Sequence, residues 1–151
     1  MADAIFLQII NAVIAELNTN RPTDIPEAST RRTIPGEVLE EPRIAVFLGD
    51  ESVDTPRANS NSDPLARRRL PIAVQCAAPS ELAAELDLIV APMLIWSAKV
   101  LGRNRLGGLV HYFRETATQR RTEYLDVAVM TATQIFECSY QTRRDDLTVR
   151  I

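Results

Sequence analysis

Ile5, Phe6, Ile9, Ile10, Val13, Ile14 and Leu17 recur at steps of three and four, with Gln8, Asn11 and Glu16 between them. This spacing predicts an amphipathic helix over 4–17 with one stripe turned to a core. Asp3 stands where a helix cap would, able to accept from the free amides of the first turn. "NTNRP" ends the pattern. Residues 18–42 hold Pro22, Pro26, Pro35 and Pro42 with little apolar content, which predicts an extended connection across the surface.

A short apolar run, "RIAVFL" (43–48), then predicts a strand closed by Gly49-Asp50. The Asn, Ser, Asp and Pro density of 53–66 predicts a long mobile loop. "RLPIAVQCAA" (69–78) reads as the return strand, with Ile72, Val74 and Cys76 facing one way. These two strands are expected to pair, with the loop protruding from their shared end.

Residues 79–102 predict a second helix. Ser80 is its expected N-cap, Glu81 and Glu85 favour the positive end of the helix dipole, and Lys99 and Gly102 mark its exit. Pro92 removes a backbone donor in mid-helix, so a kink or break is expected near Ala91. The apolar content of 88–96 runs almost all round, which predicts deep burial, including against a neighbouring subunit.

After the turn "RNRLGG", residues 109–118 and 122–142 predict a long antiparallel hairpin around Gln119–Arg121. In the last strand Leu125, Val127, Val129, Thr131, Thr133 and Ile135 share one face. Ala128, Met130, Ala132, Phe136 and Cys138 share the other. A strand that long exceeds the usual length, so a bulge or bend is expected in it. "ETATQRRTE" has no apolar face, so the hairpin tip must be solvated or rest on another chain. The element order gives one α+β domain over 1–151: an antiparallel sheet of about four strands with two helices on one face.

Charge adds a polarity to this plan. The 151 residues carry a net −3, which disfavours a general nucleic-acid binder. The charge is uneven, with ten acids against five arginines in residues 1–62 and six basic residues against one acid in 99–122. A folded subunit can thus present an acidic side and a basic side, suited to oriented association. Only one of seventeen basic residues is a lysine. Arginine favours forked ion pairs at interfaces, and high genomic G+C would also enrich it. No secretory signal is expected, since Asp3 stands where a basic residue should. The apolar run 88–98 is too short to span a bilayer.

The candidate chemistry is thin. Cys76 and Cys138 fall in predicted strands without metal-ligand spacing and read as buried free thiols of a reducing compartment. His111, the single histidine, has no nucleophile tied to it by a recognisable elbow. Gly107-Gly108 precede a strand rather than open a helix, which removes a phosphate cradle. Asp145-Asp146 lack neighbouring oxygens or histidines for a hard cation. Arg31-Arg32 and Arg67-Arg68-Arg69 carry no interleaved aromatics for a stacking groove. Catalytic, cofactor and metal residues are therefore expected to be absent. Arg67, Arg68, Arg69, Arg120, Arg121, Arg143, Arg144, Asp145 and Asp146 stand as candidates for contacts between chains.

The whole plan resembles the tail terminator (tail completion) proteins of long-tailed bacteriophages. The resemblance rests on the helix 4–17, the strand ending in "LGDES" and the return strand "LPIAVQCAA". It continues through the helix "SELAAELDLIVAPML" and the closing "YLDVAVMTATQIFECSYQTRRDD", and it departs from the simplest pattern in the Pro-rich 18–42 and at Pro92. It implies a structural virion protein, assembled in the host cytoplasm and resident in the tail or neck. Six copies would form a ring at the head-proximal end of the tail tube, end its polymerisation and dock the head. The implied partners are other copies of the chain, the tail tube protein, head-completion, connector or neck proteins, and sheath protein in a contractile tail. Specific DNA or membrane binding is not implied. The alternatives are another head–tail joining protein, a small nucleic-acid-binding module using Arg67–Arg69 and Arg120-Arg121, or a small enzyme built on His111.

Overall fold

The computed structural model describes residues 3–53, 65–143 and 146–148. Helix α1 (Ile5–Asn18) follows its apolar stripe and buries Ile5, Ile9, Val13 and Leu17. Its expected Asp3 cap is not made. Ala4 takes that position without a side-chain bond, and the Ile5 amide donates to the Leu147 carbonyl at 2.9 Å. A backbone oxygen from the segment after the last strand thus satisfies a donor the helix cannot.

The strands are β1 (Ala28–Ser29), β2 (Arg43–Leu48), β3 (Ser52–Val53), β4 (Leu65–Ser80), β5 (Tyr112–Tyr124) and β6 (Ala128–Arg143). They form one sheet in the order β1-β2-β4-β6-β5, with β3 also on β4. Every pairing is antiparallel except β1 with β2. The expected four strands are there, β2 with its predicted bounds, and two two-residue strands add to them. Both lie in segments whose composition reads as loop, and so short a strand leaves no periodicity to detect.

β4 is longer than its apolar centre suggests. The arginine run continues the strand back to Leu65, because β6 offers a partner at every position from Leu65 opposite Arg143 to Ser80 opposite Ala128. Val53 belongs to β3, and Leu65 and Ala66 to β4; residues 54–64 of the predicted loop lie outside the described residues. Two prolines in a central strand would normally argue against it, since each lacks a ladder donor. Here β2 pairs only with Ile72–Ala77, and Pro71 and Pro79 flank that stretch. The Pro71 carbonyl accepts from the Gly49 amide at 2.8 Å, so Pro71 turns its polar side toward β2 where β2 leaves the ladder. A Cβ on Gly49 would lie 2.9 Å from that of Pro71, so glycine alone fits this exit.

Both helices cover the face of the sheet carrying Ile44, Val46, Ile72, Val74, Cys76, Phe136, Cys138 and Tyr140. Phe113 of β5 joins them, its ring 5.1 Å from that of Phe136. Helix α2 (Leu86–Leu101) starts later than predicted, because Ser80 still pairs in β4 and its hydroxyl accepts from the Leu82 amide. A 3-10 turn, Ala83–Glu85, leads into it. The helix is continuous through Pro92, without the expected break. Pro92 and Leu88 both face solvent, where water can take the carbonyl left without a partner. The predicted burial all round α2 is also not found: Leu86, Val90, Met93 and Leu101 are buried, whereas Leu88 and Ile95 are exposed. No helix among the described residues is long and apolar enough to cross a membrane.

The hairpin turns later than its polar run suggested. β5 stays extended through Gln119–Arg121, and Tyr124 pairs with Ala128 across the three residues Leu125–Val127. Threonine-rich polar sequence is good edge strand, and Gln119–Arg121 contains no glycine, asparagine or proline to favour reversal. The irregularity lies in β5 rather than in the longest strand. The register shifts between Glu115 and Ala117, and the Thr116 hydroxyl donates to the Ile135 carbonyl at 3.1 Å.

Two outcomes are expected from this core. Phe136→Ala, at a fully buried ring, lowers stability by about 3–5 kcal/mol in urea unfolding. Burial pushes the Cys76 and Cys138 thiols up to about 12 from 9.0, so a thiol-reactive disulfide reagent at pH 8 labels neither until the protein unfolds. Raised values also mean that the stability these thiols contribute is complete below pH 9 and declines as pH rises toward 12.

Candidate interaction surfaces

Residues opposite one another on antiparallel strands share a face. The face away from the helices therefore carries Arg69, Pro71, Ala73, Gln75 and Ala77 from β4. Beside them lie Val129, Thr131, Thr133, Ile135, Glu137 and Ser139 from β6. β5 adds Tyr112, Arg114, Ala117, Gln119, Arg121 and Glu123. Most are small or polar, and no helix covers them.

Residues 33–39 cross part of this face as a strap. The Thr33 amide donates to the Gln75 side-chain oxygen at 2.8 Å, and the Gln75 side-chain nitrogen donates to the Thr33 carbonyl at 3.1 Å. One glutamine thus replaces a strand partner for a buried residue. Ile34-Pro35-Gly36-Glu37 forms a turn in which the Glu37 amide donates to the Ile34 carbonyl, with Gly36 at φ 81. Proline second and glycine third suit a type II turn. The turn is held at both ends: Arg43 pairs with Glu37 at 2.9 Å, and the Gly36 amide donates to Glu123 at 2.8 Å. Leu39 then packs against Ala77 and Val129. The Arg43 hydrogen bond, aided by the Ile34 amide, holds the Glu37 carboxyl below its ordinary value.

The candidate residues separate into two groups at opposite ends of the sheet. Arg121 lies opposite Thr131 and Arg69 opposite Ser139, eight strand positions or about 26 Å apart. At the far end from the hairpin tip, Arg67 is exposed. Arg69 and Arg114 lie beside Glu137, which accepts from Tyr112 at 2.8 Å and from Arg114 at 3.0 Å. The Tyr112 bond is the main cause of the lowered Glu137 carboxyl. Arg68 faces the other way. It reaches Thr142 at 2.9 Å and Glu51 at 3.1 Å, and Glu51 also accepts from the Tyr140 hydroxyl, so this arginine joins β4 to the segment after β2. Burial first, and the Glu51 bond second, push the Tyr140 phenol upward.

Arg143 closes β6 opposite Leu65, while Arg144 and Asp145 lie outside the described residues. Asp146 accepts from both the amide and the hydroxyl of Thr148, an aspartate turn that steers Leu147 onto α1. Asp146 thereby shapes a fold contact.

At the tip end, Arg120 is exposed and Arg121 pairs with Glu123 at 2.7 Å. Beyond them, at the turn, lies an apolar surface that composition did not reveal. Val38, Tyr124, Leu125 and Val127 border a depression of about 550 Å³, with Val38 and Tyr124 each 77% exposed. A second apolar surface is the outer side of α2, where Leu88 is 75% and Ile95 68% exposed. The sequence did signal this one, since 88–96 is apolar beyond what one buried stripe requires. Tyr124 and Leu125 were hidden because they read as members of the last strand.

His111 is exposed, and its backbone amide donates to the Ser139 carbonyl. Among the described residues no group of three or more His, Cys, Asp or Glu side chains is placed to hold a metal ion.

No protein-family model matches the chain, and no curated protein matches it. Among solved structures it is similar to a chain described as "Virion of native gene transfer agent (GTA) particle". The two are 14% identical over 92% of each chain, with a TM-score of 0.49. A likeness of that degree carries no argument about what this chain does.

The strap gives two expected outcomes. Gln75→Ala strands the amide and carbonyl of Thr33 and destabilises by about 2–4 kcal/mol in chemical denaturation. The lowered Glu37 and Glu137 carboxyls contribute stability that is present above pH 4.5 and lost as pH falls below it. Protection factors against hydrogen exchange at Gly36 and along β5 should therefore fall on acidification before those of the core strands.

Proposed function

We propose that this protein is a non-enzymatic virion assembly protein, a tail terminator whose copies form a ring, hexameric by the resemblance, on the head-proximal end of a phage tail tube. The observation that carries the reading is the division of the subunit's surface. One face of the sheet is closed by two helices, while the hairpin tip and the outer side of α2 leave separate apolar patches uncovered. An open sheet face and a long open edge strand lie beside them. A monomer has little use for such surfaces, and a ring subunit needs two different ones. The sequence plan that resembles tail terminators is also the element order of the fold. In this reading the ring ends tube growth and offers the neck a docking surface. Its lumen passes DNA without reading bases.

Deleting the gene from its phage is the direct test. A terminator is expected to leave overlong tails, seen by electron microscopy. Tails of normal length beside unattached heads would instead make the chain a head–tail joining protein. Purified protein added to the mutant tails should cap them at one end. Protein that stays monomeric by mass, in solution and with tube protein present, would remove the ring.

A further inference from the structure

A cavity of about 260 Å³ lies on the helix-free face, between the strap and β5. Thr33, Ile34 and Pro35 border it on the strap side, and Gln119 and Arg121 on the β5 side. Thr131 and Thr133 of β6 stand between them, both half-buried. A second hollow of about 210 Å³ adjoins the first, since Arg32, Gln119 and Thr133 border both. The lining of this second hollow is small and apolar. Phe47, Ala73 and Ile135 lie side by side there, across β2, β4 and β6.

Elsewhere on this face the polar groups are tied to one another, and here they are not. The side chains of Gln119, Thr131 and Thr133 make no hydrogen bond among the described residues. Arg121 and Glu123, paired at 2.7 Å, cancel. Arg120 also borders the cavity, but it lies opposite Ala132, a residue of the helix-bearing face. That leaves Arg32, which has no acidic partner among the described residues. Its guanidinium is held over the Phe47 ring, 4.1 Å from the centroid, at the junction of the two hollows.

We infer that the joined hollows bind a small monocarboxylic acid with a short aliphatic chain. Its carboxylate meets Arg32, with the Gln119 amide and Thr133 hydroxyl as further donors, and its chain lies over Ala73 and Ile135. A guanidinium offers forked donors that match a carboxylate, and one uncompensated cation matches one negative charge. A phosphate dianion would bring a second charge beside Glu123 with nothing to balance it. A polar hollow opening into an apolar one is the general form of a small-molecule site, with few polar groups to orient and apolar surface to hold. The inference is independent of the ring reading.

Saturation-transfer NMR of hexanoate, acetate and inorganic phosphate at neutral pH and millimolar concentration tests it, and the method works whether the protein is monomeric or assembled. Hexanoate is expected to bind at least about tenfold more tightly than acetate, because its added methylenes leave water. Arg32→Gln should weaken hexanoate by about tenfold. Arg31→Gln, an equal loss of charge at an exposed neighbour that borders neither hollow, should leave it unchanged. Ala73→Leu fills the apolar hollow and should abolish the advantage of hexanoate while acetate still binds. All three variants are first checked for native circular dichroism. Absence of transfer to hexanoate would overturn the inference. Equal binding of all three anions, or equal losses in both arginine variants, would mean an adventitious ion only. A hexanoate advantage that survives Ala73→Leu would place the acid elsewhere and overturn the site. A fall in oligomer mass in Arg32→Gln, without hexanoate binding to the parent protein, would make the arginine a contact between copies instead. Tail length in the deletion mutant depends on none of these results, so failure here leaves the ring reading standing.

Discussion

The antiparallel ladder between β4 and β6 is the constraint on which the rest of the subunit depends. Its sixteen pairs run the full length of both strands, and no other pairing in the sheet is as long. Register decides everything downstream of it. Shifting β6 by one residue would turn Phe136, Cys138 and Tyr140 to the open face and drive Glu137 and Ser139 beneath the helices. The side chains of both strands are committed to one solution: large apolar residues under α1 and α2, and small or polar ones on the other face. Even the prolines of β4 obey it, because both lie outside the stretch that pairs with β2.

The open face is kept in order by polar contacts rather than by a second hydrophobic layer. Gln75 holds the strap by its backbone, Glu37 and Glu123 tie its turn, and Tyr112, Arg114 and Glu137 lock the other end of β5. Exposed ion pairs contribute little each, yet here they fix where the strap and hairpin lie. The hairpin tip and the outer side of α2 remain as apolar surface that the subunit leaves uncovered.

Much of this was legible in the sequence because it follows from periodicity. The α1 stripe, β2, the core of β4 and the alternation of β6 all carry patterns set by burial on one side. The missed features have no such pattern. β1 and β3 are too short to alternate. The hairpin turn was displaced because a polar edge strand and a polar loop have the same composition, and only the pairing with Thr131 and Thr133 distinguishes them. Of the contact candidates, Arg68 and Asp146 serve the fold, through Glu51 and Thr148, which lie far from or beside them in ways that charge alone cannot show. The hairpin-tip hollow was invisible because it joins Val38 to Tyr124 and Leu125 across most of the chain.

The long ladder also imposes an order in time. β4 can meet β2 early, since little chain separates them, but its other edge must wait for β6, with α2 and β5 synthesised in between. Closing so large a loop is slow, because its entropy is lost before the contacts of the ladder repay it. At ribosomal speed the missing strand arrives on the order of several seconds later. During that interval a sixteen-residue strand with one bare edge and an apolar face is available to any other chain. The arginines at its start and the prolines at positions 71 and 79 are poor substrates for such pairing. They act before the fold exists, and they protect the nascent chain from its own central strand.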